Sequence, residues 1–280
     1  MASSLDETRN NRTPSAADHE ACLVLRDVAV AYGSKVVLSE VSADIRRGQV
    51  VGVIGPNGSG KSTLLKAILG MAPLVAGSVS VFGRSPASMR GRIAYVPQRE
   101  LVDWEFPVTV FDVAMMGRYP RLGWLRRPTR DDIEIVERTL GRVGMLEHRH
   151  TQIGRLSGGQ QQRVFIARAL AQEADVYLLD EPMTGVDAST QEVILQVIEE
   201  LRQEGRIVLL ATHDLASASC ACDCLCCVNQ RMVSYGPTAE TYTPEVMAET
   251  YGGLPIIMLG RADGTLPDPD AHVHAHRHLH

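Results

Sequence analysis

The sequence predicts an α/β domain built on a mainly parallel sheet, and three observations carry that prediction. Three short runs, Gln49–Ile54 (QVVGVI), Asp175–Leu179 (DVYLL) and Arg206–Ala211 (RIVLLA), are nearly all apolar, as strands buried on both faces must be. Segments of helical periodicity separate them, the clearest at Ala188–Arg202. A glycine-rich loop at 55–60 leads from the first run straight into a helical pattern, Leu64–Leu69, which Gly70 stops. Strand, loop, helix and strand in this order specify crossover connections and a parallel sheet.

The remaining elements follow in chain order. Residues 1–21 are polar, with almost no bulky apolar side chains, and read as a disordered tail. Cys22–Val30 (CLVLRDVAV) reads as a first strand followed by a turn at Tyr32-Gly33. Val36–Ile45 alternates loosely and ends at Arg46-Arg47-Gly48. The stretch from about 101 to 172 has little strand signal and several helical patterns, so it is expected to form an inserted helical subdomain. The main domain is expected over 22–256. A polar tail, 257–280, ends in HVHAHRHLH.

Composition narrows the function. The chain has 280 residues, enough for one large domain. A formal net charge of −5 argues against a nucleic-acid partner. No apolar run approaches the roughly 18–20 residues of a membrane-spanning helix. The opening MASSLDETRNNRTPSAADHEA lacks the order of a signal peptide. The chain is therefore expected in the cytoplasm, reaching any membrane through partner subunits. Of six cysteines, five crowd between Cys220 and Cys227, which is no disulfide framework.

The motifs point to nucleotide chemistry. Gly55-Pro56-Asn57-Gly58-Ser59-Gly60-Lys61-Ser62 fits the G-x-x-x-x-G-K-[ST] phosphate loop, with a second hydroxyl at Thr63. Glycines let backbone N–H groups turn toward phosphates, and the helix start adds positive potential. Lys61 is expected on the β- and γ-phosphates of ATP and the Ser62 hydroxyl on Mg²⁺. The apolar run through Leu179 ends in Asp180-Glu181. Asp180 is expected to hold Mg²⁺ through water, and Glu181 to act as general base toward the attacking water. Ser157-Gly158-Gly159-Gln160, after Leu156, opens a helical run at 161–170 and so suits an anion. Alone it would read as a capping turn. Its place between the phosphate loop and Asp180-Glu181 makes it specific.

With those motifs in this order, the chain resembles the ATP-binding cassette (ABC) family over roughly residues 22–240. The resemblance implies a P-loop NTPase core with an antiparallel β subdomain and an inserted helical subdomain. It implies that Tyr32 stacks on adenine, that Gln98 senses Mg²⁺, and that Thr184-Gly185-Val186-Asp187 contacts a second subunit. It also places His213 at the γ-phosphate. Read singly, Tyr32 is a turn aromatic, Gln98 a loop amide and His213 a strand-end histidine. In such cassettes the phosphate loop of one subunit faces the LSGGQ segment of another, so a homodimer sharing two ATP is implied.

The segment from Arg99 to Tyr119 looks like that of cassettes serving manganese, zinc and iron importers. These work with membrane permeases and an extracytoplasmic metal-binding protein, at the cytoplasmic face of the membrane. Trp104 and Phe106 are candidates for the permease contact, or for the subdomain's own core. A chelate or other solute is the alternative cargo, and a soluble non-transport ATPase a further one. His272, His274, His276, His278 and His280 could present imidazoles to one ion. The one-residue spacings of the cysteine cluster are poor for a metal and favour packing.

Overall fold

The computed structural model describes residues 21–98, 107–122 and 126–253. Trp104, Phe106, both tails and the five terminal histidines lie outside the described residues. Six strands form the main sheet, in the order β5 (Ile93–Val96), β6 (Val176–Asp180), β7 (Ile207–Thr212), β3 (Val50–Ile54), β8 (Cys224–Val228) and β9 (Met232–Pro237). β5, β6, β7, β3 and β8 run parallel, and only β9 is antiparallel. Every residue of β3, β6, β7 and β8 is buried, which accounts for their apolar composition. A second sheet is fully antiparallel, with β1 (Leu23–Tyr32) between β2 (Lys35–Ile45) and β4 (Leu74–Val81).

Alternation along the strands splits the core in two. Val176 and Leu178 face the layer made by the antiparallel sheet and helix α1 (Lys61–Ile68), whose buried side chains include Leu64, Leu65 and Ile68. Tyr177 and Leu179 face the other side. There α2 (Val110–Met115), α4 (Arg130–Arg142), α5 (Gly158–Ala171) and α6 (Ala188–Gln203) supply Val113, Leu140, Phe165 and Ile194. The short α3 (Tyr119–Leu122) follows α2. Beyond β7 come α7 (Leu215–Ala221), α8 (Thr238–Thr241) and α9 (Pro244–Tyr251).

The same alternation disposes of the cysteines. Cys224 and Cys226 pack on the α1 side of β8, Cys227 on the other, and Cys222 sits against Gly52. Thiols on opposite faces of a sheet cannot converge on one ion. Among the described residues no group of three His, Cys, Asp or Glu could hold a metal, and none of the six cysteines forms a disulfide.

One polar node ties the helical layer together. Arg118, 6% exposed, donates to Asp132 Oδ1 (2.9 Å), to the Ala171 carbonyl (2.8 Å) and to Glu173 Oε2 (2.8 Å). These bonds join the α2–α3 segment, α4 and the end of α5. Gly117 allows that approach, because a Cβ there would lie 2.1 Å from the Arg168 carbonyl oxygen. No helix of the described residues is long and apolar enough to cross a membrane.

Candidate functional site

The site is built where parallel strands end. β3 stops at Ile54, and the loop 55–60 turns the chain into α1, whose first residue is Lys61. Gly55 passes so close to β8 that a Cβ would sit 2.0 Å from the Val228 carbonyl oxygen. Gly58 and Gly60 adopt left-handed φ of 78° and 105°, open to glycine without strain. Lys61 is 6% exposed. Its Nζ donates to the carbonyls of Gly55 (2.8 Å) and Pro56 (3.1 Å) and lies 4.0 Å from Glu181 Oε1. Burial draws the Lys61 pKa down, against the opposing pull of Glu181 and Asp180.

Two adjacent carboxylates have different surroundings. Asp180 closes β6 and is fully buried. Its Oδ1 accepts from Ser62 Oγ (2.9 Å) and its Oδ2 from the Tyr95 hydroxyl (3.1 Å). Burial pushes the Asp180 carboxyl above the usual range, and the two hydroxyls oppose this. Glu181 takes a left-handed φ of 52°, sparsely populated for a side chain of its size. Its Oε2 accepts from Thr184 Oγ1 (2.7 Å) and pairs with His213 Nδ1 (2.5 Å), one residue past β7. The Glu181 N–H donates to the Ala211 carbonyl (2.9 Å), so the turn is pinned to β7.

The other predicted residues stand apart from this set. Ser157 is exposed and caps α5, accepting from the Gln160 N–H (3.3 Å) while Gln160 Oε1 accepts from the Ser157 N–H (2.9 Å). Gly158 is the first residue of α5, three earlier than the predicted run. A Cβ on Gly159 would lie 2.6 Å from Thr190 Oγ1, so this turn packs on the start of α6. Asp187 caps α6 through the Thr190 N–H (2.7 Å). Tyr32 is 49% exposed at the β1–β2 turn, and Gln98 is half-buried two residues past β5.

Thus Lys61, Ser62, Asp180, Glu181 and His213 form one connected cluster, whereas Tyr32, Gln98 and Ser157–Gln160 do not join it. Two contributors went unread in the sequence: the hydroxyls of Tyr95 and Thr184. Tyr95 stands three residues before Gln98, and nothing in a lone sequence says that its phenol reaches Asp180.

Comparison with known proteins agrees with this geometry. Residues 38–184 match the family model described as ABC transporter. The manganese transport system ATP-binding protein of Bacillus subtilis is 47% identical, over 82% of this chain and 92% of its own length. The zinc transport system ATP-binding protein of Treponema pallidum is 46% identical, over 81% of this chain and 85% of its own. A chelated iron transport protein of Yersinia pestis is 44% identical, over 83% and 79%. Among solved structures, a metal-chelate type ABC transporter in an inward-facing conformation superposes with a TM-score of 0.74 at 26% identity. It covers 82% of this chain and 89% of its own. With the phosphate loop, the paired carboxylates and the Ser157 turn arranged on this fold, the chain belongs to the ABC transporter family, as an ATP-binding, ATP-hydrolysing cassette.

Proposed function

We propose that this chain is the ATPase subunit of an importer that carries a transition-metal ion, manganese, zinc or iron, across the cytoplasmic membrane. The observation that carries the ATPase chemistry is the connected cluster of Lys61, Ser62, Asp180, Glu181 and His213, anchored on buried Lys61 and Asp180. Lys61 meets the β- and γ-phosphates, helped by the N–H groups of Gly55, Asn57, Gly58, Ser59 and Gly60, with Pro56 shaping the loop, and by the start of α1. The Ser59 hydroxyl, 2% exposed and without a hydrogen-bond partner among the described residues, supports a loop shaped for a ligand. Tyr32 stacks on adenine from its exposed turn.

Glu181 is the general base. The water oxygen attacks the γ-phosphorus while Glu181 takes the proton, the bond from that phosphorus to the β–γ bridging oxygen breaks so that ADP leaves, and Thr184 and His213 hold the carboxylate in place. His213 turns its other ring nitrogen to the γ-phosphate. Hard oxygen donors at Ser62 and Asp180, with Gln98 beyond, fit Mg²⁺, and Thr63 adds a further hydroxyl. Bound there with ATP, Mg²⁺ would neutralise phosphate charge.

Two copies complete the machine. The Ser157–Gln160 turn, which exposes Ser157 and stands apart from Lys61, supports a homodimer in which each ATP is shared by the phosphate loop of one copy and the Ser157 turn of the other. The ATPase domain is read as 22–256, attached at the inner membrane face to permease subunits. An extracytoplasmic protein presents the metal. The named systems of the relatives, each at least 44% identical over four-fifths of the chain, support the metal cargo. The metal-chelate transporter among the structural neighbours favours a chelated ion as the second reading.

Uptake of manganese, zinc, iron and chelated iron by cells carrying the chain or its Glu181→Gln form tests the reading. Loss of one cargo alone names the substrate. Unchanged uptake of all four would sink the metal assignment and leave an ABC ATPase with another cargo.

A further inference from the structure

We infer that Tyr95 is a positioning residue for the metal of the nucleotide, holding the Asp180 carboxylate in the orientation that receives Mg²⁺. The inference rests on the reading of Ser62 and Asp180 as the Mg²⁺ residues. Asp180 is fully buried and offers two oxygens. One accepts from Ser62 Oγ (2.9 Å), and Ser62 is itself a proposed ligand. The other accepts from the Tyr95 hydroxyl (3.1 Å), and the phenol sits behind the carboxylate on the neighbouring strand. Strand pairing sets that reach: Tyr95 stands opposite Leu178 and Val96 opposite Leu179, in parallel register. A phenol with its oxygen in place needs no rearrangement when the metal binds.

The strand end that carries Tyr95 is fixed in turn by α5. Arg168 Nη2 donates to the Tyr95 carbonyl (3.1 Å), and its guanidinium lies over the Phe165 ring, 4.6 Å from the centroid. Gln172, just past α5, donates to the Ile93 carbonyl (2.8 Å) at the other end of β5. The helix capped by Ser157 therefore grips the backbone on both sides of the phenol. Hydrogen-bond partners of this kind behind a metal-binding carboxylate commonly govern affinity for the ion.

Tyr95→Phe removes one oxygen and keeps the ring. In the Glu181→Gln background, which binds ATP without turnover, calorimetry gives the affinity for ATP in EDTA and for MgATP. The ratio of the two is the coupling between metal and nucleotide on the protein. Tyr95→Phe is expected to leave metal-free ATP affinity unchanged and to weaken MgATP about tenfold. An unchanged ratio would overturn the inference, as would an equal loss in both measurements, which would mean that the phenol merely supports the loop. Asp180→Asn in the same background separates the layers. It should abolish the Mg²⁺ dependence, and a retained dependence would remove Asp180 from the metal site and the role of Tyr95 with it.

Discussion

Two helix starts in this molecule carry the proposed phosphate chemistry, and they are finished to different degrees. At α1, Lys61 is buried and held by two carbonyls, and Ser62 is bonded to a buried aspartate. At α5, Ser157 is exposed and, among the described residues, its side chain bonds within its own turn, to Gln160, while Gly159 leans on α6. The first is an assembled half-site. The second is a helix terminus pre-shaped by its capping box, and its proposed ligand-bearing counterpart belongs to a second copy. In the proposed homodimer, the contrast teaches, a chain can be fully folded and still hold only half of each active site.

The sharpest test acts on the assembled half. Glu181→Gln should lower ATP hydrolysis by about 10²–10⁴-fold, the usual worth of a general base. ATP should still bind and should now stabilise the dimer, which size-exclusion chromatography reads. A variant that hydrolyses normally would remove Glu181 from the chemistry.

Next comes the division of labour itself. Lys61→Ala and Ser157→Arg chains should each be inactive alone. Mixed in equal amounts, they should recover up to about a quarter of normal hydrolysis, because half of the dimers carry one intact composite site out of two. No recovery on mixing would break the comparison and place both helix starts in one copy's site.

The third test asks what the loop's geometry costs to disturb. Gly55→Ala drives a Cβ to within 2.0 Å of the Val228 carbonyl, whereas Gly58→Ala meets nothing within 4 Å. Thermal unfolding should place Gly55→Ala lower by about 1–3 kcal/mol or more, as for overpacking elsewhere. Gly58→Ala carries only the strain of a left-handed alanine, about 1–2 kcal/mol.

The mildest test concerns the scaffold of α5. Asp132 caps α4 through Thr129 and pairs with buried Arg118. Its hydrogen bonds from Thr129, and then the Arg118 guanidinium, bring its carboxyl down to about 2. A carboxylate whose folded pKa is lowered stabilises fully above its unfolded value and loses that contribution as pH falls through the folded value. Asp132→Asn should therefore cost about 1–2 kcal/mol at neutral pH. The gap to the parent should close between the ordinary aspartate range and about 2. A gap that persists there would assign the effect to packing.

The fold was legible wherever burial left its mark on composition. The apolar runs at 49–54, 175–179 and 206–211 became β3, β6 and β7, with Asp180 inside the strand rather than after it. β4 gave no such signal. Its LVAGSVSV is exposed over its first five residues and pairs only with β1, so neither a continuous apolar run nor a clean alternation is demanded of it. The site behaved similarly. Lys61, Ser62, Asp180 and Glu181 were named from their motifs and His213 from the family resemblance, and the described geometry brings them together. The hydroxyls of Tyr95 and Thr184 were not, because their use depends on strand register and on the left-handed turn at Glu181, which no local pattern encodes.

The cysteines on and just before β8 have a consequence of their own. Burial pushes the Cys222 and Cys227 thiols up to about 12 and Cys226 higher still, so at neutral pH almost none is thiolate. Cys220 alone of the five is exposed. A thiol-reactive dye added to the folded protein therefore meets Cys220 at once and reaches the strand only when the sheet opens. The slow phase of labelling is a clock for that opening, written into the central sheet two strands from β7 and immediately beside the phosphate-loop strand.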